Sequence, residues 1–298
     1  MKRGIVLENN KTALLKLVFT MVLFGTIGIF VRYITFPSSL VALVRGIIGT
    51  AYLLFVILAV KKENIDLKAV KKNLLLLVIS GTAMGFNWIL LFEAYNYTTV
   101  ATATLCYYLA PIFVIVASPI LLKEKLTLKQ IVCVLVALIG MVFVSGVLEI
   151  SISIAEARGI IFGIGAAILY ASVIMLNKAI KDITAYDKTI VQLATAAIVL
   201  MPYCALTIDF GTLHADTMAI VMLLVVGILH TGIAYAMYFG AIKELKTQTA
   251  AILSYIDPVV AVLLSAILLK ESLGIAGIIG AVLVLGSTLV SSVSFKKE

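Results

Sequence analysis

Apolar residues in this chain gather into runs of about 20, the length a helix needs to cross the hydrocarbon core of a bilayer. Ten such runs follow one another, at 14–33, 39–60, 74–95, 98–122, 131–149, 158–178, 188–208, 217–240, 248–269 and 274–294. Lipid offers no hydrogen bonds to a bare backbone, so the runs predict helices rather than open strands. Only short polar connections remain between them, with no soluble domain of any size. The charged N-terminal stretch, apolar from Leu14, has the look of a signal peptide. Its apolar part is too long, and no small-residue cleavage site follows, so it reads as a retained first span.

The pattern repeats. Gly85, Trp88, Phe92, Ala94, Thr102, Ala103, Tyr108, Pro111 and Leu121-Leu122-Lys123-Glu124 recur 147 residues later as Gly232, Tyr235, Phe239, Ala241, Thr249, Ala250, Tyr255, Pro258 and Leu268-Leu269-Lys270-Glu271, without a gap. The flanks agree more weakly, Leu23-Phe24-Gly25 against Leu169-Tyr170-Ala171 and Arg32 against Lys178. The predicted architecture is an all-α membrane protein of ten transmembrane helices in two five-helix repeats, 14–149 and 158–295. Five is odd, so the second repeat enters from the opposite face and the two are inverted. Inverted repeats of this kind supply two related states, one open to each side, with the binding site between the halves.

Charge placement agrees with inversion. With the N-terminus inside, all of the 23 Lys and Arg except Arg32, Arg45, Arg158 and Lys270 fall on the inner side, while Glu149, Glu156, Asp209 and Asp216 fall outside. This is the positive-inside pattern, and it predicts a plasma-membrane protein with both termini in the cytoplasm. The Lys123-Glu124-Lys125 loop is inside, and its counterpart Lys270-Glu271-Ser272, outside, has lost a lysine. The net charge of +8 is thereby explained by anionic lipid headgroups, without nucleic acid as a partner. A hydrophobic share of 63% against 13% charged residues, with mean hydropathy +1.19, sets the chain apart from soluble domains. Cys106, Cys133 and Cys204 all lie inside spans without metal-ligand spacing and read as small buried apolar residues.

The segment from Phe92 through Ala103 and Pro111 to Lys123-Glu124-Lys125-Leu126 resembles the drug/metabolite transporter superfamily, in its EamA-like branch of ten helices. So does its second copy, from Phe239 through Ala250 and Pro258 to Lys270-Glu271-Ser272-Leu273, and each is followed by a Gly-containing apolar helix. The likeness covers nearly the whole chain. Where many relatives carry a Trp-Gly pair in the first helix, this chain has Phe24-Gly25. The resemblance implies secondary transport of small metabolites, often by export, through a central cavity between the halves. It does not imply a particular substrate.

Candidate chemistry is sparse, and therefore conspicuous. Asp257 lies about 13 Å into the ninth span at 1.5 Å per residue, where an ionisable side chain is by default a functional candidate. Its counterpart is Ala110, so the repeat itself does not require an acid. Pro258 pushes Asp257 away from helical geometry, predicting a locally opened helix. The plainer reading is a carboxylate that caps this break. His230, in place of Ala83, sits about 15 Å into the eighth span at nearly the same depth. We expect a protonatable pair, Asp257 taking a cationic group or a proton and His230 tuning its charge; the alternative is a histidine bonded to a backbone carbonyl. Arg45, paired by repeat with Gln192, has two readings: a bidentate partner for a carboxylate or phosphate in the cavity, or a structural partner of Glu93.

Trp88, Tyr107, Tyr108, Tyr170, Tyr235, Tyr238 and Tyr255 are candidate cavity walls, suited to amphipathic solutes or to cations on ring faces. Asn87 and Asn177 are further polar candidates, and Pro111 and Pro258 are read as helix-shaping. Gly159/Gly163 and Gly277/Gly280, with Ala276 and Ala281, form small faces. These serve packing within the chain, and a homodimer is compatible with them. No nucleotide-binding, H-E-x-x-H or G-x-S-x-G motif and no metal-binding acid cluster occurs, so neither pump nor enzyme is expected and no cofactor is needed. A secondary carrier for an amino acid or related zwitterion or amine, by alternating access and linked to protons, is the expectation; a channel or an intramembrane enzyme is the alternative.

Overall fold

In the computed structural model, residues 2–98, 100–145, 154–214, 216–268 and 274–292 are described, and every regular element among them is a helix. These are α1 (Lys2–Val31), α2 (Ser38–Phe55), α3 (Leu67–Tyr97), α4 (Val100–Tyr107), α5 (Ala110–Leu121), α6 (Leu128–Ser145), α7 (Ile154–Ala179), α8 (Ala185–Thr207), α9 (Thr217–Val225), α10 (Ala234–Glu244), α11 (Thr247–Leu253), α12 (Ile256–Leu268) and α13 (Ile275–Ser292). A π-helical turn, Val56–Lys61, ends α2, and another, Val226–Ile233, joins α9 to α10. Among the described residues, seven runs are long and apolar enough to cross a membrane, and Leu128–Phe143 and Ile275–Val290 are shorter apolar helices.

Helix limits follow local chemistry more closely than hydropathy. α1 starts at Lys2, well before the apolar run. α3 starts at Leu67, because the Asp66 side chain accepts from the Lys68 and Ala69 amides at 3.0 Å and so caps the first turn. The polar stretch 61–72 is thus half helix. Thr184 and Asp216 cap α8 and α9 in the same way.

The expected spans 98–122 and 248–269 are each broken near the middle. α4 stops at Tyr107 and α5 restarts with Pro111 in its first turn; α11 stops at Leu253 and α12 restarts with Pro258 in its first turn. Proline costs nothing there, since the first-turn amides have no intrahelical acceptor. The break falls at Ser254–Tyr255, ahead of the residue next to Pro258. Asp257 therefore sits in the first turn of α12, where unpaired amides favour a negative charge. The Tyr255 hydroxyl donates to the Tyr108 carbonyl at 3.0 Å, so each break meets the other.

Packing crosses between the halves of the chain. α1 lies against α10 and α12, α7 against α3, α4 and α5, α2 against the π segment, α3 against α8, and α6 against α13. Small residues make these approaches possible. A Cβ on Gly159 would stand 2.6 Å from Thr98, one on Gly163 2.8 Å from Cys106, and one on Gly140 2.7 Å from the Gly280 carbonyl. The G-x-x-x-G face of α7 and, on α13, Gly280 and Ala281 are thus packed within the chain, whereas Ala276 is exposed.

One end of the bundle is clasped by polar contacts. Glu124 accepts from the Thr247 amide and, at 2.8 Å, its hydroxyl, capping α11. Gln130 donates to Gln248, which donates to Ser118. The Lys178 ammonium reaches the Lys243 and Leu245 carbonyls, Lys188 reaches the Phe239 carbonyl at 2.9 Å, and Lys72 pairs with Asp182. The predicted counterpart of the Glu124 loop, 270–273, lies outside the described residues.

Candidate functional site

Asp257 is the centre of a cluster of phenols. It is largely buried, in the first turn of α12. Tyr108 is its side-chain hydrogen-bonding neighbour, and Tyr107, Tyr170, Tyr235 and Tyr238 lie within its electrostatic range. The Tyr107 and Tyr170 rings stack at 5.3 Å, and the Tyr170 and Tyr238 hydroxyls meet at 3.0 Å. Asn87 holds one side of this cluster in place. Its amide donates to the Ala166 carbonyl at 2.6 Å, and its side chain bonds Tyr107. Phe24, standing where the sequence has Phe24-Gly25, packs edge-on to Tyr235 at 5.4 Å. A carboxylate ringed by aromatic faces and hydroxyls suits an ammonium group.

His230 and Asp257 have different partners. His230 lies in the π segment, 1% exposed, with Nε2 2.8 Å from the Thr26 hydroxyl and its ring 5.0 Å from Phe30. No hydrogen bond joins it to Asp257; the charged group acting on it is Arg45. The expected pair is therefore not what the fold assembles, because equal depth on successive spans leaves the helix faces unspecified.

Arg45 likewise does not pair with Glu93. Glu93 accepts from the Tyr203 hydroxyl at 2.6 Å, while the Arg45 guanidinium lies over the Trp88 ring, 4.5 Å from its centroid. Trp88 in turn meets Tyr235 at 6.3 Å, and Tyr235 lies within range of both Arg45 and Asp257. The two charges thus share one intervening phenol.

Of the other candidates, Tyr255 is wholly buried against α5, α6 and α13, where its hydroxyl holds the break. Asn177 donates to Val173 and Ser80 on the α3–α7 seam, and Pro111 and Pro258 shape the restarted helices. Sequence reasoning passed over Tyr95 and Thr26, which contribute to the surroundings of Arg45 and His230. A threonine within an apolar run gives no signal until its partner is known.

Two cavities lie at opposite ends. One, of about 380 Å³, is lined by Ser38, Ser39, Tyr95, Tyr203 and Asp209 among others. The second, of about 500 Å³, is lined by Val56, Ala185, Tyr186, Ala236 and Gly240 with Lys16 and Glu244 at its mouth.

A model of the EamA-like transporter family matches residues 11–146 and again 157–293. The chain belongs to this family. The transporter is 31% identical over 263 residues to the "Uncharacterized transporter YxxF" of Bacillus subtilis (strain 168), covering 87% of this chain and 83% of that one. An "Uncharacterized transporter" of Archaeoglobus fulgidus is 28% identical over 278 residues, 92% and 94% of the two chains. Over 121 residues, 39% of this chain and 38% of the other, it is 34% identical to the "Uncharacterized inner membrane transporter YhbE" of Escherichia coli (strain K12). A solved crystal structure superposes with a TM-score of 0.83 at 20% identity over 94% of this transporter and 97% of that chain, a likeness of fold.

Proposed function

We propose that the transporter is a secondary carrier of the cytoplasmic membrane, built as inverted five-helix repeats over 14–149 and 158–295 with both termini in the cytoplasm. It moves an amino acid or a related zwitterion or amine, outward, by alternating access. One observation carries this reading: residues 147 positions apart meet at the middle of the bundle and recur at its two mouths. Tyr108 touches Tyr255 and Trp88 touches Tyr235. Ser38, Ser39 and Tyr203 line one cavity, and Ala185, Tyr186 and Val56, their positions in the other repeat, line the second. Exchanging the conformations of two such halves opens one mouth as it closes the other.

Asp257 anchors the cationic group of the solute or a proton, with Tyr108, Tyr170, Tyr235 and Trp88 as walls, and protonation of this carboxylate couples transport to the proton gradient. The solute and the bilayer are the partners this function needs. The test is counterflow in proteoliposomes with amino acids, amines, organic acids and sugars at two pH values, the Asp257→Asn variant alongside. Saturable exchange of zwitterions or amines, lost or made pH-independent in the variant, is the expected result. Unsaturable flux would identify a channel instead. Undiminished, pH-dependent accumulation by a folded Asp257→Asn protein would sink the proton link.

A further inference from the structure

A second group of polar side chains, which the Asp257 reading does not use, lies across Tyr235 from Asp257. Two side chains there, on packed helices, keep a buried hydrogen-bonding atom without a partner among the described residues: Arg45 at Nε and His230 at Nδ1. Buried polar atoms are almost always paired, so two orphans in one neighbourhood ask for an explanation. Their neighbourhood is common because α2 packs along the π segment: Gly49, one turn beyond Arg45, abuts Thr231 and Gly232, the residues that follow His230. Arg45 is the charge that acts on His230, and Trp88 underlies the guanidinium.

The hydrogen bonds determine what each orphan offers. The Thr26 hydroxyl has one proton, and it donates that proton to the Leu23 carbonyl at 2.7 Å. The direction of its 2.8 Å contact with His230 Nε2 depends on the imidazole tautomer, and with the hydroxyl proton on Leu23 the imidazole is the donor. In that tautomer Nε2 carries the hydrogen, and Nδ1 of the neutral ring is left as a bare acceptor. Arg45 Nε–H is a donor with nothing to receive it. A ligand that satisfies both presents an acceptor to Arg45 and an N–H or O–H donor to His230.

We infer that Arg45 and His230 form a subsite that reads α-substituted carboxylates: the carboxylate accepts from Arg45, and an amino or hydroxyl group on the α carbon donates to His230 Nδ1. A plain carboxylate would pair with Arg45 and leave Nδ1 unfilled. The inference rests on the carrier reading above in the form in which Asp257 takes the proton, and narrows it, making His230 the residue that tells 2-amino and 2-hydroxy acids from simple acids. Sites built to bond a donor group discriminate strongly against the analogue that lacks it.

The test has two arms. Leucine, its 2-hydroxy analogue and its des-amino carboxylate compete in counterflow. The first two should compete comparably and the third roughly tenfold more weakly or worse, and His230→Phe, which keeps an aromatic ring beside Phe30, should abolish that gap. Equal competition by all three in the unmodified transporter overturns the inference while leaving the carrier intact. Exchange of amines with no competition from any acid does the same, and no exchange of any solute defeats both readings. Independently, the chain holds two histidines, His214 and His230. Nitrogen-15 spectra of histidine-labelled protein, assigned with His214→Gln, should show His230 as the Nε2–H tautomer, a preference lost in Thr26→Val. An Nδ1–H tautomer would overturn the inference whatever the transport results.

Discussion

Asp257 and Ala110 occupy the same position in the two halves, yet Asp257 alone brings a charge to a ring of phenols. The contrast shows how residue-scale chemistry departs from the repeat: the scaffold tolerates alanine there, so a carboxylate is an addition. Tyr255 is the opposite case. It is fully buried and its hydroxyl serves the Tyr108 carbonyl. Tyr255→Phe leaves that carbonyl unpaired and is expected to cost roughly 1–3 kcal/mol, read as a lowered Tm, with solute affinity unchanged. The Lys72–Asp182 pair is fully at the surface. Lys72 holds the Asp182 carboxyl below the usual carboxylate range. Whatever the tether contributes is therefore present at neutral pH and lost as pH falls through that lowered value. Exposed pairs of this kind contribute little and are screened by salt, so Asp182→Asn should leave Tm at neutral pH unchanged.

At the scale of elements, Glu124 acts as a clasp between the two halves by capping α11, a helix of the other repeat. Removing a cap costs about 1 kcal/mol, enough to shift a two-state balance roughly fivefold. Glu124→Ala should accordingly raise maleimide labelling of an Ala236→Cys reporter in the 500 Å³ cavity about fivefold. A second element-scale feature lies where α3, α7 and α8 meet. Ser80 accepts from both Asn177 and Gln192, and all three are buried. Ser80→Ala strands the Gln192 amide, leaves Asn177 with the Val173 carbonyl alone and should lower Tm, whereas a serine outside the core such as Ser172 should tolerate the same change. On α7, Gly159→Leu drives a side chain into Thr98 and the Ala94 carbonyl, and a folding defect rather than a change of oligomer is the expected outcome.

At the scale of the molecule, the run lengths and the 147-residue repeat were legible from the chain itself, because the bilayer allows few alternatives and small residues at a fixed offset survive only where helices touch. The prolines announced a break in each half, and Asp257 announced itself by the cost of an acid at that depth. Hydropathy could not place the break at Ser254–Tyr255 or start α3 at Leu67, since both depend on which amides find acceptors. Nor could depth along a span decide partners. Arg45 and Glu93, and His230 and Asp257, were plausible pairs by height, but a helix presents residues around its full circumference. A π turn at Val226–Ile233 shifts that rotation again. The sequence by itself determined a helical membrane protein of duplicated design with a charged residue at its centre, because lipid and backbone hydrogen bonding dictate those features locally. Only the tertiary structure decided that Arg45 rests on Trp88, that His230 faces Thr26, and that five tyrosines converge on Asp257. Those contacts depend on helix rotation and on cross-half packing, which no single run of residues encodes.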